Sequence, residues 1–182
     1  SDNPLDGWMP SLPPGPAGVP LDPTVEAFFE MEAAGLEEAV RLGFVVVAGG
    51  VGERLGFSGI KLALPCEIST GCTVLAHYCA HIAALQLLLT ERLGRAVRLP
   101  LAIMTSDQTH DATLAMLKDG RHFGLAASQV TVLRQRSVAA LSDTSGALAS
   151  SSTYRVETKP HGHGDVHTLL HTSPDSADTY KG

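Results

Sequence analysis

The sequence predicts an α/β fold, a mostly parallel, Rossmann-like sheet flanked by helices. Short apolar runs at 44–48, 98–105 and 129–134 alternate with longer segments of helical periodicity, the pattern of strands joined by helical crossovers. A glycine-rich turn follows the first run at once, and sheets of this kind hold ligands beyond the carboxyl ends of their strands. The 182 residues are 44% hydrophobic, enough for one compact domain with a real core and short for a complete two-domain enzyme.

From the N-terminus, residues 1–23 hold seven prolines together with Gly7, Gly15 and Gly18. Proline removes a backbone donor and glycine weakens helix and strand alike, so this stretch reads as an extended arm anchored by Trp8. Thr24, with Glu26 behind it, is the candidate N-cap of a helix that ends at Gly43 and is weakest at Gly35. Residues 1–43 thus form arm and helix, and residues 44–182 form the sheet domain. The first strand, 44–48, is expected to be buried. IKLALP at 60–65 reads as a short extended piece, and 73–93 as a long helix. The second strand, 98–105, is buried on both faces. A helix at 109–118 ends at Asp119-Gly120, and 129–134 is the third strand. Residues 142–153 are small and polar, a mobile loop or weak hairpin turn. A strand at 154–158 then delivers KPHGHGDVH onto a helix near 166–171. The last ten residues carry no periodic signal and read as a frayed end.

Charge excludes one class of partner. Thirteen basic against nineteen acidic residues give −6, without a long Lys/Arg run, so no nucleic-acid surface is expected. Cys66, Cys72 and Cys79 are odd in number and lack CxxC spacing, which supports neither a disulfide framework nor a zinc site and fits a reducing, cytoplasmic setting. The apolar segments at 44–48 and 82–89 fall short of the roughly 20 residues of a membrane span. The Pro-rich, acidic N-terminus differs from a signal peptide.

The first glycine-rich turn admits several readings. A dinucleotide fingerprint needs a third small residue where Gly50-Val51-Gly52-Glu53-Arg54-Leu55 has leucine, and Gly59 and Pro65 follow where a helix should begin. A P-loop needs lysine directly after glycine, whereas Ile60 separates Gly59 from Lys61. A plain turn whose glycines serve only backbone angles is the simplest alternative. A polyphosphate site fits better. Five glycines (Gly49, Gly50, Gly52, Gly56 and Gly59) let backbone N–H groups approach an anion, and Arg54 and Lys61 supply cations.

A second motif is KPHGHGDVH. His161, His163, Asp165 and His167 approach a metallohydrolase ligand pattern, but Val166 puts the last histidine one residue out of register, so no metal ligand is assigned in this chain. His163 between Gly162 and Gly164 instead suits a backbone passing close to a flat ligand. His77, His81 and His110 read as ordinary helix or cap residues.

These residues carry a resemblance. AGGVGERLGFSGIKLALP resembles the signature loop of the UDP-sugar pyrophosphorylases, a branch of the UTP-dependent sugar-1-phosphate uridylyltransferases. NPLDGWMPSLPPG, PLAIMTSDQTH, SQVTVLRQ and KPHGHGDVHTLLHTS agree in the same order across nearly the whole chain. The resemblance implies a GT-A-like nucleotidyltransferase sheet, here incomplete, with 44–182 as a partial UTP-binding catalytic domain. It implies that Gly162, His163 and Gly164 lie against the uracil and that Gln135 hydrogen-bonds the base edge, which an amide donor and acceptor suit. Ala48, Gly49, Gly50 and Gly52 would give backbone contacts to the nucleotide and Met104 would line the base pocket. Arg54 and Lys61 would be the catalytic phosphate ligands.

The implied reaction is attack of a sugar 1-phosphate on the α-phosphorus of UTP, releasing pyrophosphate, with Mg²⁺ as cofactor. The magnesium-binding aspartate, the sugar-binding segments and a second catalytic lysine are expected beyond Gly182. The chain is therefore expected to be weak or inactive alone and to associate with the remaining C-terminal polypeptide or another copy. The resembled family tolerates several sugar 1-phosphates, including glucose, galactose and uronic acid forms, and the pocket that chooses among them is expected outside these residues. An NAD(P)-dependent oxidoreductase and a non-catalytic nucleotide-binding module remain the competing readings.

Overall fold

The computed structural model describes residues 5–11, 21–172 and 179–181. It divides into two compact units, Ser1–Glu38 and Ala39–Gly182. In the first, helix α1 (Glu26–Glu38) runs through Gly35 without a break, and none of its residues is buried. Thr24 does not cap it. Its N–H and hydroxyl both bond the Asp22 carboxylate, at 2.9 and 2.6 Å, in a local turn that competes with capping. Trp8, the expected anchor of the arm, is 77% exposed.

The second unit is built on strands β1 (Phe44–Val47), β2 (Leu101–Thr105) and β3 (Val130–Arg134), all parallel. Helix α2 (Val74–Leu93) connects β1 to β2, and α3 (His110–Asp119) connects β2 to β3. Thr73 caps α2 by accepting the Ala76 N–H at 3.3 Å, and Gly94 ends it in the left-handed conformation. After β3 the chain forms two small antiparallel pairs. Strand β4 (Ser137–Ala139) pairs with β7 (Thr158–Pro160), and β5 (Ser150–Ser152) pairs with β6 (Arg155–Val156). The stretch expected to be a loop or weak hairpin thus contains β5, and the strand expected at 154–158 is divided between β6 and β7. Helix α4 (Asp165–Thr172) follows. Strand β8 (Thr179–Lys181) then adds antiparallel to β3, giving the sheet order β1-β2-β3-β8. The expected frayed end therefore includes a ladder strand. It is too short to carry a period, and backbone pairing fixes it.

Core formation follows the apolar periods. Leu75, Cys79, Ile82 and Leu89 are the buried row of α2, and Leu101, Ile103 and Met104 make β2 the most enclosed strand. Each fully buried Leu contributes about 1.5–3 kcal/mol relative to exposure. Polar groups stitch the helix to the strand. Gln86 accepts the Leu99 N–H at 2.8 Å, Gln129 donates to Leu99 O at 2.9 Å, and the two amides bond each other. Strand β1 is less buried than its sequence suggests, because it stands at the sheet edge among the described residues and leaves Val45 46% and Val47 37% exposed. By length and composition α2 could cross a membrane, a test that core helices also pass, and its buried row supplies the interior here. IKLALP is not extended: Lys61–Ala63 forms a 3₁₀ turn.

Candidate functional site

The parallel register aligns Val47 with Met104 and Thr105 with Arg134. Just past them, Ala48, Ser106 and Gln135 stand at adjoining carboxyl ends, the crevice where such sheets bind ligands. Two more ladder bonds reach into this edge, from Ala48 N–H to Met104 O at 2.7 Å and from Gln135 N–H to Thr105 O at 2.8 Å.

Buried hydroxyls fix the glycine loop to that edge. Ser106 Oγ donates to Gly49 O at 2.7 Å, and Thr109 Oγ1 donates to Ala48 O at 2.8 Å while accepting the Ser106 N–H at 3.0 Å. Both side chains are essentially inaccessible, so each bond replaces water that the carbonyls have lost. Thr109 sits at the N-cap position of α3 but makes no side-chain cap, because its hydroxyl is used across the fold. Sequence reasoning assigned neither Ser106 nor Thr109; the visible signal was the hydroxyl-rich TSDQT directly after the second strand.

Gln135 is 2% exposed and lies against Gly49, where an added Cβ would overlap its amide nitrogen. Gln135 Oε1 accepts the Gly162 N–H at 3.3 Å, and His161 N–H donates to Arg136 O at 3.2 Å. The GHG turn is thereby held beside the end of β3. Gly162 has φ +134°, a conformation that disfavours a side chain. Bonds from Asp165, Val166 and His167 N–H back to residues 162–164 make the turn the entry to α4. His163 is exposed and Gly164 open, and His161 Nδ1 contacts Asp165 Oδ1 at 3.2 Å.

The glycines of the first loop have different duties. Gly52 N–H bonds Gly59 O at 2.8 Å beside a Val51–Ile60 bridge, and the Phe57 ring occupies the space where Cβ atoms on Gly52 and Gly59 would fall, at 2.9 and 2.7 Å. Those two glycines serve packing. Gly56 ends a 3₁₀ turn at φ +70°. Gly50 is exposed, and Lys61 Nζ lies 3.4 Å from its Cβ position. Lys61 makes no ion pair among the described residues, so an unneutralised ammonium stands over exposed backbone. The backbone of Arg54 lies in the turn Glu53–Leu55, and its side chain is outside the described parts.

The structure therefore brings together Ala48, Gly49, Gly50, Lys61, Gln135 and Gly162. Met104 is different: its side chain is fully buried in β2, so it belongs to the core and does not line the site. Beside Gln135, Ser137 Oγ donates to Asp107 at 2.7 Å and Arg134 Nε at 2.9 Å. Ser137, then Arg134, hold the Asp107 carboxyl below its ordinary range. Two apolar clefts lie elsewhere on the sheet, one between Phe44, Leu133 and Leu169 and one between Val45, Tyr78 and Ile82. Their linings hold no lysine or arginine for a polyphosphate. A further cluster, Cys66, Cys72 and His77, was hidden by its unusual spacing.

Comparison with known proteins places this geometry. The chain is 46% identical over 175 residues to a UDP-sugar pyrophosphorylase of Arabidopsis thaliana, and 45% identical over 179 residues to one of Oryza sativa subsp. indica. Each match covers 94% of this chain and 28% of the relative, so the chain spans little more than a quarter of their length. A crystal structure of the uridine diphosphate N-acetylglucosamine pyrophosphorylase from Trypanosoma brucei in complex with an inhibitor superposes with a TM-score of 0.68 at 25% identity. It covers 80% of this chain and 30% of that one. Residues 26–176 match the family model described as UTP--glucose-1-phosphate uridylyltransferase, and the chain belongs to that family.

Proposed function

We propose that this chain forms the uridine-nucleotide site of a UDP-sugar pyrophosphorylase, which makes a UDP-sugar and pyrophosphate from UTP and a sugar 1-phosphate. The observation that carries the reading is the convergence of Gln135, Gly49 and Gly162 at the strand ends. A flat base stacks on glycine backbone where side chains would obstruct it, and an amide offers the donor and acceptor that uracil presents. Lys61 beside Gly50 supports the reading, since it offers a cation to the phosphates. In the transfer, a phosphate oxygen of the sugar 1-phosphate forms a bond to the α-phosphorus as the bond to pyrophosphate breaks. This chain's share is to hold the chain of phosphates in line and offset charge with Lys61 and Arg54.

Magnesium receives no step here. Among the described residues the one group of three possible metal donors is Cys66, Cys72 and His77, and magnesium takes oxygen ligands. The exposed apolar side chains of Val45 and Val47 suit coverage by further polypeptide of the same enzyme. The three free thiols suit a cytoplasmic setting.

Calorimetric titration of the 182-residue chain tests the reading. UTP should bind more tightly than ATP, and Lys61→Ala should weaken UTP at least about tenfold while affecting uridine little. Equal affinity for ATP and UTP, or saturable NADH binding without a response to UTP, would reject it.

A further inference from the structure

Following the glycine loop in the chain, the Sγ atoms of Cys66 and Cys72 and a ring nitrogen of His77 all lie within 4.8 Å of one another. Local backbone geometry explains the convergence. Cys66 N–H donates to Cys72 O at 2.8 Å, Pro65 and Thr73 form an antiparallel bridge, and Gly71 N–H closes on Glu67 O at 3.0 Å. The two cysteines therefore stand at the neck of a pinched loop. His77 comes from the first turn of α2, whose start is fixed by the Thr73 cap and by a bond from Val74 N–H to Leu64 O at 2.9 Å. All three cysteines are free thiols.

We propose that Cys66, Cys72 and His77 bind a thiophilic divalent metal ion of the zinc class, through side chains that the nucleotide crevice does not use. Two thiolates and one imidazole are the soft and borderline donors that zinc prefers, and three protein ligands leave a fourth tetrahedral position for water. Bonds of about 2.3 Å to sulfur and 2.1 Å to nitrogen need donors about 3.5–3.8 Å apart. The exposed Cys66 and His77 side chains close the remaining distance by rotation. As the two metal–sulfur bonds form, each thiol releases its proton to solvent. The His81 ring, edge-on at 4.5 Å from that of His77, covers one side of the ligand. The Cys-x₅-Cys-x₄-His spacing belongs to no common metal motif, so the fold and not the sequence assembles the set. An ion here fastens both ends of the loop to α2, just after the turn that carries Lys61.

Cobalt titration of the reduced 182-residue chain under anaerobic conditions tests this directly. One equivalent should produce a thiolate-to-cobalt charge-transfer band and tetrahedral d–d absorption. Zinc should then bleach both and raise the unfolding temperature. The Cys66→Ser/Cys72→Ser double variant should abolish the charge-transfer band, each single variant should lower its intensity and weaken binding, and His77→Ala should weaken binding more than about 100-fold, beyond the loss typical of outer-shell changes. His171→Ala, an exposed histidine on α4, should change nothing. Absence of the band, a band undiminished by Cys66→Ser or Cys72→Ser, or one that survives the double variant, overturns the proposal. A Cys66–Cys72 disulfide in the air-exposed chain, with no cobalt bound by the reduced chain, also overturns it and assigns the pair to disulfide chemistry.

Discussion

The side-chain carbonyl of Gln135 accepts the backbone N–H of Gly162 at 3.3 Å, joining the end of β3 to a turn 27 residues further on. Replacing Gln135 by alanine leaves that N–H without its partner in a crevice of low accessibility, a cost of about 1–3 kcal/mol. Affinity for UTP should fall, and preference over ATP should shrink with it. Parallel titrations of both nucleotides measure this. A variant that loses affinity equally for the two would show that the amide supports the fold without reading the base.

Gly49 makes the complementary point. A Cβ there falls on the Gln135 amide nitrogen, and Gln135 has little room to withdraw because it is 2% exposed. Gly49→Ala should cost about 1–3 kcal/mol of stability from overpacking and displace the amide. Urea denaturation would measure the first effect and UTP titration the second. Unchanged values for both would mean that the crevice is wider than these contacts imply.

Much of this site was legible in the sequence, for reasons that differ from residue to residue. The α/β alternation follows from local periodicity, and α2 and α3 fall within a residue or two of their expected ends. Gly49, Gly50 and Lys61 stand out because glycine density and nearby cations are local signals. The pairing of Gln135 with Gly162 is not local, and only resemblance to a family pointed to it. Thr109 was unassigned because its partner, Ala48 O, is 61 residues away. Phe57 was unassigned, yet it explains two of the five glycines. The burial expected of β1 failed for a topological reason: a strand's periodicity does not say whether it lies at an edge.

Thr109→Val is the sharpest test of the hydroxyl network. It preserves shape while removing the donor to Ala48 O and the acceptor of Ser106 N–H, both buried. The expected loss is about 1–3 kcal/mol for groups left unsatisfied. At roughly 2–4 °C per kcal/mol for a chain of this size, the unfolding midpoint should drop by about 2–12 °C. UTP affinity should also fall, since the loop loses one of its two anchors. A midpoint within about 1 °C of the parent would mean that water replaces the hydroxyl.

Asp107 gives the site a pH dependence of known sign. Donation from Ser137, and then from Arg134, favours the ionised carboxylate and lowers its pKa from the ordinary 3.8. A group depressed in the folded state binds fewer protons there than in the unfolded chain, so its contribution is fully present above the ordinary value. It is lost as pH falls below 3.8 and through the folded pKa. Asp107 and Arg134 side chains are 50% and 42% exposed, so the pair contributes only about 0.2–1 kcal/mol after screening. Asp107→Asn should therefore lower the unfolding midpoint by about 0.4–4 °C near neutrality, at roughly 2–4 °C per kcal/mol. The gap should hold down to about pH 5 and close as the parent's carboxylate is protonated. Unfolding midpoints of parent and variant across this range check the sign. A gap that persists undiminished in acid would assign the loss to packing, because protonation of the parent would then remove none of what the substitution removed.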